Sequence, residues 1–341
     1  PLTWSSQGLP EGARVIVALG DSWNHETLAE VPASQGSWTW TAPDEASSTS
    51  LLVAYRPTGV DEVYDWSPSF SILPAVPPAP PIELTGDGRP DLVWHQQQTG
   101  ELYAWSMEGT VAASGAFLRF PSRPNTRWQV RGIADFDRDQ VADLLWQNLD
   151  TGALEIWRMG VPYGSMGFPL TPSRLSDPLW QIRGVADVDG DRTPDILWHH
   201  QQTGDLYAWL MNGTVATAGR YLYPSRFADM RWQIRALVDF NRDGQVDVLW
   251  HHQQTGDLYV WFMRQAVVEW GSFLTPRSFA DTRWQIRQVA DFDDDGQPDV
   301  LWHHQQTGEL YVWFLDGTTV TSGSFLTPRA FSDLRWQIVP R

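Results

Sequence analysis

Residues 198–204 have the sequence Trp-His-His-Gln-Gln-Thr-Gly, and the same seven residues recur at 250–256 and at 302–308. The copies are 52 residues apart. A fixed period within one chain is typical of repeat architectures. Tryptophan keeps this period in three registers: Trp94, Trp146, Trp198, Trp250 and Trp302; Trp105, Trp157, Trp209, Trp261 and Trp313; and Trp128, Trp180, Trp232, Trp284 and Trp336. The sequence therefore predicts five tandem units within residues 82–341.

Each unit has the pattern of four short β-strands. In the third unit, β-rich runs lie at 180–186, 196–200 and 206–211, and the last is followed by Asn212-Gly213, a strong hairpin turn. A fourth strand is predicted at 214–222. Four antiparallel strands in a repeat of this length are typical of one propeller blade.

The two ends of the array predict a closed ring. The first unit begins at its acidic loop and has no preceding Trp-Gln-Ile run, whereas the last unit is followed by an extra one, Trp336-Gln337-Ile338. This C-terminal strand is expected to pair beside Leu92-Val-Trp94 and complete the first blade. Closure would remove exposed sheet edges. The predicted fold class is all-β, with a five-bladed β-propeller at 82–341.

Residues 1–73 lie outside the period and predict a small Ig-like β-sandwich. Alternating runs such as Val15-Ile-Val-Ala-Leu19 and Leu51-Leu-Val-Ala-Tyr55 are separated by turn-forming residues. The proline-rich segment 74–81 is expected to be a stiff linker.

Composition limits the classes of partner. The formal net charge is -17, which argues against nucleic acid and anionic membrane surfaces. No run of 18 apolar residues occurs, so no membrane insertion is expected. Cysteine is absent, so there is no disulfide framework. The chain begins with Pro1-Leu-Thr-Trp4, and we expect a trimmed form whose targeting segment lies outside it.

An acidic loop recurs at the same place in every unit. The fifth loop is Asp291-Phe-Asp293-Asp-Asp295-Gly-Gln297-Pro-Asp299. Oxygen ligands at positions 1, 3, 5 and 9, with a main-chain carbonyl at position 7, can wrap one cation of calcium size. Repeated carboxylates without a counterion would repel one another. The sequence predicts up to five Ca²⁺, one per loop, bound by Asp87, Asp91, Asp135, Asp137, Asp139, Asp143, Asp187, Asp189, Asp191, Asp195, Asp239, Asn241, Asp243, Asp247, Asp291, Asp293, Asp295 and Asp299.

The loops are unequal in sequence. Glycine at position 6 permits a tight bend and is present in the fourth and fifth loops, whereas the second has Gln140 and the third has Arg192. These two loops are expected to be less secure metal sites. The first loop, at 83–91, is the least complete of the five.

The combination of acidic loop and tryptophan registers resembles the FG-GAP/VCBS repeats over residues 82–341. This resemblance implies a calcium-binding β-propeller with an extracellular role in adhesion or recognition, as in integrin α-chains and many secreted bacterial proteins. It implies no catalytic residues. The N-terminal part, through Gly36-Ser-Trp-Thr-Trp-Thr-Ala-Pro43 and Tyr64-Asp-Trp-Ser-Pro-Ser-Phe-Ser-Ile72, resembles the β-sandwich of Ser/Thr-rich, surface-anchored proteins of the cell-wall-biogenesis type.

The repeated aromatic residues allow two interpretations. Tryptophan can fill the core between blades, which we expect for the registers of Trp94 and Trp128. It can also stack on sugar rings while nearby amides and imidazoles bond the hydroxyls, and several weak sites would give avidity. Under this hypothesis the carbohydrate-binding residues are His95, Tyr103, Trp105, His199, Gln201, Tyr207, Trp209, His251, Gln253, Tyr259, Trp261, His303, Gln305, Tyr311 and Trp313, and the second unit is defective.

The paired histidines are expected to be structural. Adjacent residues on a strand face opposite sides, so His199 and His200 cannot readily bind one zinc ion together. Hydrogen-bonded imidazole at a polar blade interface is the favoured interpretation.

Three functions remain open at this point. The leading hypothesis is a secreted or surface-displayed, lectin-like module that binds a glycan or cell-surface glycoconjugate. The alternative is a structural or protein–protein adhesion scaffold, and a glycan-active enzyme is third. Because Gly-x-Ser-x-Gly, His-Glu-x-x-His and phosphate-loop motifs are absent, we expect the chain not to be an enzyme.

Overall fold

The computed structural model describes residues 2–3, 14–20, 25–32, 37–38, 47–55, 63–66, 70–72, 89–118, 127–159, 167–279 and 281–339. The chain divides into two compact units, residues 1–76 and residues 77–341. All regular elements of the described residues are β-strands, as predicted. The predicted linker at 74–81 lies outside the described residues. No helix in the described part of the chain is long and apolar enough to cross a membrane.

The N-terminal unit is antiparallel β structure. Its strands are β1 Leu2–Thr3, β2 Arg14–Gly20, β3 His25–Pro32, β4 Ser37–Trp38, β5 Ser47–Tyr55, β6 Val63–Trp66 and β7 Phe70–Ile72. One sheet has the order β3-β2-β5-β6, with β7 also paired to β5, and β1 pairs with β4. The Ig-like arrangement stays a prediction.

The C-terminal part of the chain, residues 77–341, is built from repeats of one four-stranded antiparallel sheet, and each repeat is called a unit below. Its strands are β8 Leu92–Gln96, β9 Leu102–Glu108, β10 Val111–Phe117, β11 Trp128–Ala134, β12 Asp143–Asn148, β13 Leu154–Trp157, β14 Phe168–Pro169, β15 Trp180–Ala186, β16 Asp195–His200, β17 Asp205–Asn212, β18 Val215–Arg226, β19 Trp232–Val238, β20 Asp247–His252, β21 Asp257–Arg264, β22 Val267–Ser278, β23 Trp284–Ala290, β24 Asp299–His304, β25 Glu309–Asp316, β26 Thr319–Ala330 and β27 Trp336–Ile338. Units 2 to 5 are β11–β14, β15–β18, β19–β22 and β23–β26, each paired in chain order.

Unit 1 is completed by the end of the chain. Strand β27 pairs antiparallel with β8, so that Gln337 lies opposite His95 and Ile338 lies opposite Trp94. Units 5 and 1 also meet through a parallel bridge between β26 and β10, at Thr327 and Val111. The first and last units are therefore neighbours, as the extra Trp-Gln-Ile run predicts.

Tryptophan packs the interfaces between successive units. The register of Trp94 is fully buried in all five copies. Trp198 belongs to a cluster that includes Leu145 and Ile156 of unit 2, and Trp250 belongs to one that includes Leu197 of unit 3. Each unit therefore buries its apolar faces against its neighbours, which explains why a single copy would not be stable.

The first strand of units 2 to 5 carries a β-bulge. The register shifts at Val130/Gly132, Ile182/Gly184, Ile234/Ala236 and Ile286/Gln288. The residue skipped at each shift is an arginine: Arg131, Arg183, Arg235 and Arg287. A bulge changes the direction of the side chain of the extra residue. The four arginines therefore do not follow the regular alternation of side chains between the two faces of the strand.

Candidate metal centres and a central arginine channel

Three of the acidic loops bring carboxylate oxygens close enough to share one metal ion. The ligand atoms lie within 4.8 Å of one another in each group, and the groups are Asp135, Asp137 and Asp143; Asp187, Asp189 and Asp195; and Asp291, Asp293 and Asp295. Oxygen donors at this separation suit a hard divalent cation. Each loop joins the first two strands of its unit, so a bound ion would hold two strands of one blade.

The carboxylate at position 9 has a second role that the sequence did not reveal. Asp195 accepts backbone N–H bonds from Val188 at 2.9 Å and from Met211 at 2.9 Å, and is fully buried. Asp143, Asp247 and Asp299 repeat both bonds. Burial raises the pKa of these four carboxyl groups to about 7. Position 9 therefore ties the loop to the third strand of its blade.

The backbone of the loops does not depend on glycine at position 6. Gln140 and Arg192 have φ angles of 70° and 68°, close to the 79° of both Gly244 and Gly296. All four loops therefore take the same left-handed turn, although a side chain is strained there. The expected weakness of the second and third loops is not visible in their carboxylate geometry.

The loops differ more in their charged neighbours. Arg158 Nε lies 3.2 Å from Asp137 Oδ2 in unit 2, and Arg220 Nη2 lies 3.9 Å from Asp189 Oδ2 in unit 3, so both loops have a competing positive charge. In unit 4 the amide of Asn241 donates to Asp243 at 3.0 Å, and this loop has no group of three clustered carboxylates. Asp87 of the first loop lies outside the described residues.

The predicted carbohydrate-binding set does not form one site. Trp209 pairs with Ile196 on the face that carries Trp198, whereas His199 follows Trp198 and lies on the opposite face of the same sheet. The indoles of Trp105, Trp209, Trp261 and Trp313 are at most 8% exposed. A buried indole offers no face to a sugar, so this burial argues against stacking in this register, and carbohydrate binding stays a prediction.

The other members of the set have structural contacts as well. His95, His199, His251 and His303 are buried. Each of the four rings packs edge-on against a tryptophan of the next unit, as His199 does against Trp250 at 5.8 Å. The hydroxyls of the partly buried tyrosines lie beside a glycine of the fourth strand, as Tyr207 does beside Gly219. The predicted glutamines contact arginines instead, as described below.

The second histidine of each pair holds a turn. His200 Nδ1 accepts the backbone N–H of Thr203 at 3.0 Å, and its Nε2 therefore donates to Asp177 at 3.1 Å. His252 and His304 accept the corresponding N–H bonds. These contacts assign the second histidine of each pair to turn stabilisation.

The bulged arginines converge on a central cavity of about 210 Å³. Arg131, Arg183, Arg235 and Arg287 line it together with one aliphatic residue per unit: Val130, Ile182, Ile234, Ile286 and Ile338. The fifth position of the arginine register is Val339. These arginines were not among the predicted site residues, although their 52-residue spacing after Trp-Gln-Ile or Trp-Gln-Val was a visible signal.

Glutamine side chains orient the arginines. Arg235 Nη2 donates to Gln253 Oε1 at 2.8 Å and to Gln285 Oε1 at 2.7 Å. Arg287 Nη2 likewise donates to Gln305 and Gln337, both at 2.6 Å. Burial lowers the pKa of Arg235 to about 9, with repulsion from Arg287 and Arg183 adding to the effect. The guanidinium groups of the cavity therefore stay positively charged at pH 7.

The buried histidines make an acid-sensitive contribution to folding stability. Burial lowers the pKa of His95, His199 and His303 to about 4 and that of His251 to about 3. The unfolded chain, with histidine pKa values near 6.5, binds more protons than the folded chain below that pH. The histidine contribution to stability is therefore present above pH 6.5 and is lost as the pH falls toward 4, whereas the four position-9 carboxyl groups, whose pKa burial raises to about 7, shift stability in the opposite direction.

We expect His199→Gln to reduce this pH dependence. Unit 2 already has Gln147 in this register, so the substitution copies a residue that the fold accommodates. Between pH 7 and pH 5 the variant should lose less unfolding free energy than the unmodified protein, by on the order of 1–2 kcal/mol. Urea denaturation of both proteins at the two pH values measures the difference, and equal losses would contradict the assignment.

Comparison with known proteins agrees with this architecture. The model of the FG-GAP-like repeat matches residues 84–146, 187–250 and 239–302, which together are just over half of the chain. The chain belongs to the FG-GAP-like repeat family, and the resemblance predicted from its loops and tryptophans is confirmed. No curated protein matches the sequence.

Among solved structures, the periplasmic gluconolactonase PpgL of Pseudomonas aeruginosa is similar to this chain at 15% identity and a TM-score of 0.41, covering 96% of this chain and 99% of that one. This match to an enzyme corrects the expectation that the chain is not one, because the absence of familiar motifs does not exclude catalysis on such a fold. The likeness is too low to transfer an activity, a substrate or a residue.

Proposed function

We propose that this chain is a calcium-stabilised β-propeller scaffold that acts outside the cytoplasm in recognition or adhesion. The observation that carries the proposal is the recurrence of clustered carboxylate oxygens in the loops of units 2, 3 and 5. Aspartate oxygens are the ligands that calcium prefers, and sites of modest affinity are filled at the calcium concentrations found outside cells.

The burial of the tryptophans supports a scaffold over a lectin with one site per blade. The indoles proposed as platforms are part of the core. Among the described residues, the exposed aromatic side chains lie on the fourth strands of units 1, 3 and 4: Phe117, Tyr221, Tyr223 and Trp270 are 53–72% exposed. Aromatic residues are enriched at protein–protein interfaces, so these exposed side chains suit contact with a protein partner.

Calcium titration with matched variants tests the metal sites. Asp293 belongs to the unit 5 cluster, whereas its neighbour Asp294 lies outside it and is 3.4 Å from Arg89. Calorimetric titration should show one fewer binding event in Asp293→Asn, while Asp294→Asn, which removes the same charge, should bind like the unmodified protein. Identical isotherms for the two variants would contradict a site at this loop.

A glycan array distinguishes the scaffold from the lectin. Purified, calcium-loaded protein is expected to give no specific signal, because the repeated indoles are not accessible. Reproducible binding to one class of glycan, by protein shown to be folded by circular dichroism, would contradict the scaffold proposal and support the lectin hypothesis.

A further inference from the structure

We propose that the central cavity is a binding site for a small multivalent oxyanion, such as a di- or tricarboxylate or a sulfate-like group. The site is separate from the acidic loops and does not rest on the proposed scaffold function. Its ligand would be held by the guanidinium groups of Arg131, Arg183, Arg235 and Arg287.

The backbone places these four side chains in one cavity. Each arginine is the extra residue of a β-bulge in the first strand of its unit, and all four line the same volume of about 210 Å³. Bulges are common next to functional sites because they re-aim a side chain. The same bulge occurs in four units, so the position of the four arginines in one cavity follows from the repeated fold.

Several N–H donors of the cavity arginines are not used in hydrogen bonds to the protein and are available to a ligand. The glutamine oxygens engage only Nη2 of Arg183, Arg235 and Arg287. The Nε–H groups of the same three arginines are buried and have no partner among the described residues. Since a guanidinium has five N–H donors in a planar fork, each group keeps donors that a carboxylate or sulfate can accept.

Charge in the cavity is uncompensated. Among the described residues, no carboxylate lines it, and none forms an ion pair with the four arginines. His95, which also lines the cavity, is neutral at pH 7 because burial lowers its pKa to about 4. Desolvated like charges repel, so an anion that contacts several guanidinium groups at once relieves more repulsion than a monovalent one.

The size and lining of the cavity limit the ligand further. A cavity of about 210 Å³ lies below the usual range for drug-sized ligands, so it favours a small ligand. The aliphatic layer of Ile182, Ile234 and Ile286 beside the arginines suits a short carbon frame that carries the charged groups. Val339 leaves one side of the ring without a positive charge.

Isothermal titration with tricarballylate, sulfate and acetate tests the site. The three probes are compared at equal ionic strength, pH 7 and a fixed free calcium concentration. We expect saturable binding of tricarballylate, sulfate or both, and none of acetate. Tricarballylate binding without sulfate binding would indicate a carboxylate ligand, and the reverse a sulfate- or phosphate-like one. Failure of both multivalent probes to bind would overturn the proposal.

Two substitutions locate the binding. Arg235→Gln should weaken it at least about tenfold, because one charged, bidentate partner is lost. Arg283→Gln is the control, since Arg283 pairs with Asp281 at 2.7 Å, has a side chain that is 60% exposed and does not line the cavity. Equal weakening by both substitutions would contradict binding in the cavity.

Val339→Arg gives a test that does not depend on the folding of Arg235→Gln. It adds the residue that units 2 to 5 have in this register and should tighten binding of the multivalent probe by about tenfold. Unchanged or weaker binding in a folded Val339→Arg protein would overturn the proposal. Calcium titration of the same variant should be unaffected, which separates this site from the loops.

Discussion

Excess EDTA is expected to lower the melting temperature of the propeller by at least about 10 °C relative to protein in millimolar calcium. Without a cation, the carboxylate oxygens of Asp187, Asp189 and Asp195 face one another within 4.8 Å, and the carboxylates grouped in units 2 and 5 lie equally close. A ligand present at about 100 times its Kd stabilises the folded state by about 2.7 kcal/mol per site, so three sites act together.

The measurement is thermal unfolding followed by circular dichroism. Re-addition of calcium should restore the original transition, which separates reversible metal loss from damage to the protein. Magnesium should restore less of the melting temperature, because it requires a smaller octahedral site and gives up its bound water reluctantly. The same melting temperature with and without EDTA would refute calcium stabilisation.

Trp261→Ala is expected to destabilise the protein by about 3–5 kcal/mol, the range for removing a buried tryptophan. Trp261 is 7% exposed, and its ring packs against Trp250 at 4.9 Å and Phe227 at 5.2 Å. The substitution leaves a cavity between units 3 and 4. If Trp261 were instead an exposed residue that stacks on a sugar, its removal would cost little stability.

Trp270→Ala is the matched control in the same unit. Its side chain is 53% exposed and is stacked on Phe262. We expect a loss of no more than about 1 kcal/mol, as for most surface substitutions. Urea denaturation in saturating calcium compares the two variants, and equal destabilisation would contradict the assignment of Trp261 to the core.

Much of the fold could be predicted because repetition is a property of the chain itself. The 52-residue spacing of Trp198, Trp250 and Trp302 predicts equivalent environments, and the structure buries all three completely. The extra Trp336-Gln337-Ile338 run predicted pairing with the first unit, and β27 pairs with β8. Hairpin turns and alternating carboxylates are local patterns, so the strands and acidic loops could also be located.

The candidate binding residues could not be assigned in the same way. His199 and Trp209 are ten residues apart, and whether they share a face depends on the register across the turn that joins β16 and β17. The pairing of Ile196 with Trp209 places the imidazole and the indole on opposite faces. Likewise, Gln140 and Arg192 predicted weak loops, but the surrounding blade holds both residues in the left-handed conformation that glycine takes elsewhere.

By itself, the sequence determined the repeat, the order of the strands, the closing strand and the acidic loops, because these follow from spacing along the chain. Only the tertiary structure decided which side chains are core and which line the centre. A bulge displaces Arg183, Arg235 and their equivalents from the strand alternation, and closure of the ring then brings residues 52 positions apart into one cavity. Periodicity shows that these residues are equivalent, but not that they meet.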